Sequence, residues 1–293
     1  MRLATVNLNL TETASIVTSA GVLPIYKINR QLGKNWNTEL LKIITTGQLN
    51  EINDWHRSVG KNEIEKLKSQ IIPFRKIKFA PPYRHPRKIW GIGLNYVEHA
   101  KDLLVKTPLA EPASFMKPDT TIIGYKDIIR IPVQSIKTTG ESELGIIIGK
   151  KCKDIKTEDW LKVVAGFTPI IDMTAEDLLR KNLRYLTRAK SFDTFFSFGP
   201  HIVTPDEIED IMKLQVATVI NGEIYAKNII SNMTFPPDFL VSFHSKVMTL
   251  LPGDIIATGT PRAVQLHAGD IIECRIDGFT SLKNSVIDLK DRQ

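Results

Sequence analysis

The stretch Glu141-Ser-Glu143-Leu-Gly-Ile-Ile-Ile-Gly149 constrains the fold more than any other part of the chain. Its Ile-rich run has the composition of a buried strand, so the fold must supply a sheet for it. Side chains along a strand alternate faces. Glu141 and Glu143 therefore leave on one face, while Leu144, Ile146 and Ile148 fill the other. Downstream, Val163-Val-Ala-Gly-Phe-Thr-Pro-Ile-Ile171 reads as a second apolar strand with Asp172 at its end. Three carboxylates delivered by buried strand ends repel one another unless positive charge stands between them. With no Cys or His among the three, a bound cation would be a hard divalent ion such as Mg²⁺, Mn²⁺ or Ca²⁺. The same spacing also suits a solvated strand face with two surface glutamates, and it leaves both readings open.

A chain of 293 residues can form one large domain, or a large and a small one. Its 42% hydrophobic and 24% charged content is that of a globular chain rather than a disordered one. No apolar run approaches the roughly 18 residues of a membrane span. The start, Met-Arg-Leu-Ala-Thr-Val-Asn, lacks the features of a signal peptide, so a cytoplasmic location is the expectation. Cys152 and Cys274 form no C-x-x-C and are expected as reduced thiols. The net charge of +7 invites a nucleic-acid reading, but the lysines are dispersed and no recognition motif appears. No nucleic-acid or membrane partner is expected. A basic surface serves equally to steer small anionic substrates.

Residues 1–78 read as a small leading α/β domain. Its short strands lie around Leu3 to Leu8, Ile16-Val17 and Val22 to Ile25, with helices near 39–46 and 63–69. The Pro-rich stretch Ala80 to Pro86 marks a boundary, and residues 79–293 form the second domain. Asn95-Tyr-Val-Glu-His99-Ala-Lys-Asp102 begins a helical stretch in which His99 and Asp102 share a face. Such a pair can act as a general base with its orienting carboxylate, or His99 can be an ordinary surface histidine. Thr174-Ala-Glu-Asp177 has capping-box spacing and predicts a helix to about Asn182, with Asp172 just before it. Thr204-Pro-Asp-Glu207 reads as a second N-cap, Asn221-Gly222 as a hairpin and Phe239 to Met248 as a helix. Many short strands, few helices and no βαβ rhythm predict an α+β chain that is mostly β.

Several segments, in order, resemble the fumarylacetoacetate hydrolase family. They are Gly91-Ile-Gly-Leu-Asn-Tyr96 with His99, Glu141-x-Glu143-Leu, Gly166-Phe-Thr with Asp172, and Lys190-Ser-Phe-Asp-Thr-Phe195. Asn221-Gly222-Glu223 and Pro252-Gly-Asp-Ile-Ile-Ala-Thr-Gly-Thr-Pro261 complete the set. The resemblance implies a mixed β-sandwich or β-roll catalytic domain, a homodimer, and Mg²⁺, Mn²⁺ or Ca²⁺ on Glu141, Glu143 and Asp172. It also implies His99 as base with Asp102 as its partner, Lys190 beside the substrate's oxo or carboxylate group, and Thr260 at its acid end. The implied substrate is a small 2-oxo acid. The implied reaction is C–C hydrolysis of an acylpyruvate, decarboxylation or enol–keto isomerisation; a sugar-acid dehydratase or lyase, or a metal-binding homologue without turnover, is the alternative. The chain departs from the family where an Arg and a Gln that shape the substrate pocket are replaced by Glu176 and Leu179. A carboxylate at 176 is expected to repel a second acid group on the substrate.

Overall fold

The computed structural model describes residues 1–96 and 110–292. At the start of the chain, β1 (Arg2–Leu8), β2 (Thr11–Val17) and β3 (Val22–Pro24) form an antiparallel meander with β2 in its middle. Four short helices follow: α1 (Ile25–Leu32), α2 (Leu40–Thr45), α3 (Gln48–Trp55) and α4 (Lys61–Lys66). Ile25 starts α1 instead of ending a strand, because Ile25 and Ile28 lie three apart and share the buried face.

The rest of the chain is mostly strand. β4 (Lys78–Phe79), β5 (Ile89–Gly93), β6 (Ala113–Lys117), β7 (Ile122–Ile123) and β8 (Ile128–Ile131) lead to the two longest strands. These are β9 (Thr138–Ile148) and β10 (Val164–Ala175). Two short helices, α5 (Glu176–Lys181) and α6 (Leu186–Lys190), come next, then β11 (Phe196–Phe198) and β12 (His201–Val203). The hairpin at Asn221-Gly222 joins β13 (Gln215–Ile220) to β14 (Glu223–Ile229). Helix α7 (Pro237–Val247) precedes β15 (Ile255–Ala257), β16 (Val264–Gln265), β17 (Ile271–Ile276) and β18 (Leu282–Asp288). The fold is α+β and mostly β.

Among the described residues the strands form a 13-stranded and a 5-stranded sheet. In the larger, the path β3-β2-β1-β12-β10-β9-β15-β5-β6 puts β9 and β10 near the centre; the smaller runs β14-β13-β17-β18-β8. Strands β9 and β10 pair antiparallel from Val164↔Ile148 to Ala175↔Thr138. Every residue of β9 is buried, so both its faces are covered. Leu144, Ile146 and Ile148 pack with Val216, Ile272 and Leu282 of the smaller sheet. Ile147 faces the other way, into a cluster with Leu3, Ile16, Ile170, Phe196, Phe198 and Ile255. That cluster draws on both sides of the Pro-rich stretch, and β1 pairs directly with β12 through Leu3↔Ile202. Among the described residues no helix is long and apolar enough to cross a membrane.

Candidate active site

The register of β9 and β10 builds the site. Asp172 lies directly opposite Glu141, and Glu143 is two residues further along β9, opposite Ile170. The period of two therefore puts all three carboxylates on one face, where one ligand atom from each falls within 4.8 Å of the others. All three residues are buried. Asp172 is not the last residue of its strand, because β10 runs on through Met173 and Thr174 to Ala175, held against Thr138.

Two lysines meet these acids. Lys190, at the end of α6, donates to Asp172 Oδ2 at 2.7 Å and to Glu141 Oε2 at 3.0 Å. Lys117, at the end of β6, donates to Asp172 Oδ1 and to the Met173 carbonyl. The sequence reasoning missed Lys117. The signal for it was weak: a lysine closing an apolar strand at Phe115-Met-Lys-Pro118. Thr174 has the spacing of a helix cap but does not act as one. Its hydroxyl instead donates to Glu141 Oε1 at 2.9 Å, and α5 starts two residues later with no side-chain cap. The Gly259 N–H donates to Glu143 Oε2 at 2.8 Å. Gly259 has a φ of 93°, in the left-handed region that favours glycine.

The acids are held unequally. Burial would raise the Asp172 carboxyl, but the ammoniums of Lys117 and Lys190 outweigh it and hold it below its usual range. Burial, with the charges of Asp172 and Glu141 added, pushes Glu143 well above the carboxylate range. Among the described residues no ammonium bonds Glu143. Burial and the neighbouring Lys190 charge bring Lys117 down to about 8 against the pull of Asp172. Burial also works against the Lys190 charge, but Asp172 and Glu141 overcome it and raise its pKa. A divalent cation would supply the positive charge that Glu143 lacks. The donor set is all carboxylate oxygen, which fits Mg²⁺, Mn²⁺ or Ca²⁺.

A cavity of about 270 Å³ opens from Glu141 and Lys190. Its walls include Phe115, Leu179, Leu183 and Leu186, with Glu176 and Arg180 among its charged groups. The Lys190 ammonium stands 4.5 Å from the centre of the Phe115 ring, where the charged floor meets the apolar wall. Glu176 does not face the pocket as a free charge. Arg180 grips its Oε1 through Nε at 2.6 Å and Nη2 at 2.5 Å, and Lys137 lies 3.0 Å away. The Thr260 hydroxyl is buried and donates to the Arg262 carbonyl at 3.1 Å. The expected general base and its partner, His99 and Asp102, lie outside the described residues.

A model of the fumarylacetoacetate (FAA) hydrolase C-terminal domain matches residues 88–287. The chain belongs to the fumarylacetoacetate hydrolase family. Within this family, a Methanocaldococcus jannaschii protein is 46% identical over 69% of this chain and 84% of its own length. A mitochondrial oxaloacetate tautomerase from Xenopus laevis is 36% identical over 78% of this chain and 76% of its own. Among solved structures, maleylpyruvate hydrolase from Sphingobium sp. SYK-6, in complex with manganese(II) and pyruvate, aligns with a TM-score of 0.78. It is 27% identical, and the alignment covers 98% of this chain and 99% of that one.

Proposed function

We propose that this family member is a divalent-metal-dependent enzyme that moves a proton at the carbon beside the oxo group of a small 2-oxo acid, interconverting keto and enol forms. The observation that carries the reading is the meeting of three buried carboxylates and two buried lysines at the inner end of an apolar pocket. The tautomerase from Xenopus laevis and the hydrolase solved with manganese(II) and pyruvate support it. Hydrolysis of an acylpyruvate is the second reading, favoured by the room that the pocket leaves beyond a pyruvyl head.

Glu141, Glu143 and Asp172 would hold the metal, which would polarise the 2-oxo group when bound. Lys190 lines the pocket, and its ammonium places positive charge where the oxo oxygen gains electrons as the C3–H bond breaks. Lys117 lies beneath, fully buried, and positions Asp172. The base that takes the C3 proton and returns it to the other end of the enolate is assigned to His99, with Asp102 as its partner. Thr260 is assigned to the substrate's carboxylate end. The protein is expected to act in the cytoplasm as a homodimer, and light scattering can check the dimer.

Solvent deuterium exchange at C3 of 2-oxobutyrate, followed by NMR, tests the assignment. Exchange should require Mg²⁺ or Mn²⁺ and fall by on the order of a hundredfold on chelation. A protein that catalyses neither metal-dependent exchange nor acylpyruvate cleavage would refute the reading.

A further inference from the structure

Beyond Glu141 and Lys190, the pocket's described polar side chains are Thr139, Thr174, Glu176 and Arg180, and the rest of its lining is apolar. Glu176, Leu179 and Arg180 share a face of α5, and Leu183 follows the extended residue Asn182 in a separate short turn, so this helical segment supplies much of the wall. Leu183 stands at the mouth with 69% of its surface exposed, a large apolar side chain beside a cavity. Such a surface gains from being covered by an apolar ligand group.

The charged groups on that face are already engaged. The Arg180 guanidinium forks onto Glu176 through two nitrogens, and Glu176 is only 7% exposed. Turning Arg180 toward a substrate carboxylate would break that fork and weaken the pairing of a buried acid. The pocket therefore offers a second acid group no uncommitted cation among its described side chains, apart from the Lys190 that serves the head. Its 270 Å³ is on the order of nine water-sized groups, more than the six heavy atoms of a pyruvyl unit.

We propose that the substrate's tail is an uncharged apolar chain of about three or more carbons, seated against Leu179 and Leu183, and that the Glu176–Arg180 pair disfavours a second carboxylate. This rests on the 2-oxo acid reading above and names its substrate class. It differs from the dicarboxylate in the name of the Xenopus laevis relative.

The test is equilibrium binding to the Mn²⁺-loaded protein by calorimetry, using pyruvate, 2-oxohexanoate, 2-oxoadipate and oxalate. 2-Oxohexanoate and 2-oxoadipate share a six-carbon chain and differ in the terminal carboxylate, while oxalate mimics the head alone. Each methylene buried should add about fourfold. 2-Oxohexanoate should therefore bind at least about tenfold tighter than both pyruvate and 2-oxoadipate. Leu183→Lys, at an exposed position that folding tolerates, should shrink or invert the preference over 2-oxoadipate. If oxalate binds but 2-oxoadipate matches or exceeds 2-oxohexanoate, the tail assignment is overturned and the head reading stands. The tail assignment is equally overturned if Arg180→Gln selectively weakens 2-oxoadipate, since Arg180 would then be a carboxylate anchor. If neither oxalate nor any of the oxo acids binds, the 2-oxo acid reading falls and takes this one with it.

Discussion

Glu141 and Glu143 are two residues apart on one strand, yet their surroundings differ. Glu141 accepts from Lys190 and from Thr174, whereas Glu143 has the Gly259 N–H and a carboxyl that burial drives toward its neutral form. A neutral amide resembles a neutral carboxyl, so Glu143→Gln should leave the metal-free protein about as stable as the parent while abolishing tight Mn²⁺ binding. Glu141→Gln disturbs a charged bond to Lys190 and should cost about 1–3 kcal/mol without metal. Thermal unfolding in chelator and Mn²⁺ titration of both variants check this; equal destabilisation by the two would contradict the charge assignment. The three acids were legible in the sequence because the one register shift of the ladder, between Val164 and Gly166, lies away from them and period two survives from 170 to 172 and 141 to 143. Lys117 was not, because its partner Asp172 is 55 positions away and nothing local marks the pairing.

At the scale of elements, the turn through Gly259 connects strand geometry to the site. A Cβ at this position would lie 2.8 Å from the Asn95 Cβ, on a backbone with φ of 93°. Gly259→Ala should therefore shift the turn, pull its N–H from Glu143 and weaken Mn²⁺ binding by tenfold or more. A stability loss of about 1–3 kcal/mol should accompany it. Unchanged Mn²⁺ affinity would mean that the turn does not hold the carboxylate. The helix starts show where local reading stops. Thr174 and Thr204 both have cap spacing, and Thr204 does take the N-cap position of a short turn with Pro205 next to it, but neither hydroxyl caps: Thr174 bonds Glu141, and Thr204 bonds the Met1 backbone. A hydroxyl goes to the stronger tertiary partner when one is in reach, and spacing carries no record of that partner. The Asn221-Gly222 hairpin was legible because the left-handed φ of both residues, 51° and 91°, is a purely local demand.

For the whole molecule, two buried histidines link stability to pH. Burial lowers His201 and His244 from 6.5 to about 4, and among the described residues no ring nitrogen of either has a hydrogen-bond partner. Above pH about 6.5 both are neutral whether folded or not, and folding loses nothing. Between about 6.5 and 4 the unfolded chain takes up protons that the folded one refuses, so stability falls, by up to about 3 kcal/mol for His201. These histidines should therefore contribute nothing to the pH dependence of the melting temperature around pH 7 and lower it below 6.5, and His244→Phe, packed between Trp90 and Phe243, should remove part of that contribution relative to the parent. The same pH dependence from 7 to 4.5 in the parent and in His244→Phe would rule this out. The larger sheet also crosses the boundary that composition placed at residue 78. A fragment of residues 79–293 would bare the edge of β12 and the Phe196–Phe198 cluster, so it should aggregate when expressed alone. A monodisperse, folded fragment would show that the two parts stand independently. Composition and proline content mark where the chain turns, but strand pairing between distant segments leaves no trace in either.

The ladder between β9 and β10 has one more consequence. The acids sit on two strands buried along almost their whole length, where a substitution disturbs close packing. Much of the pocket's apolar wall instead comes from a short helical excursion with exposed residues, hung between β10 and β11. Mutational drift can thus rewrite what the enzyme accepts while leaving how it reacts untouched. A lineage built on this plan can diversify in diet faster than in chemistry.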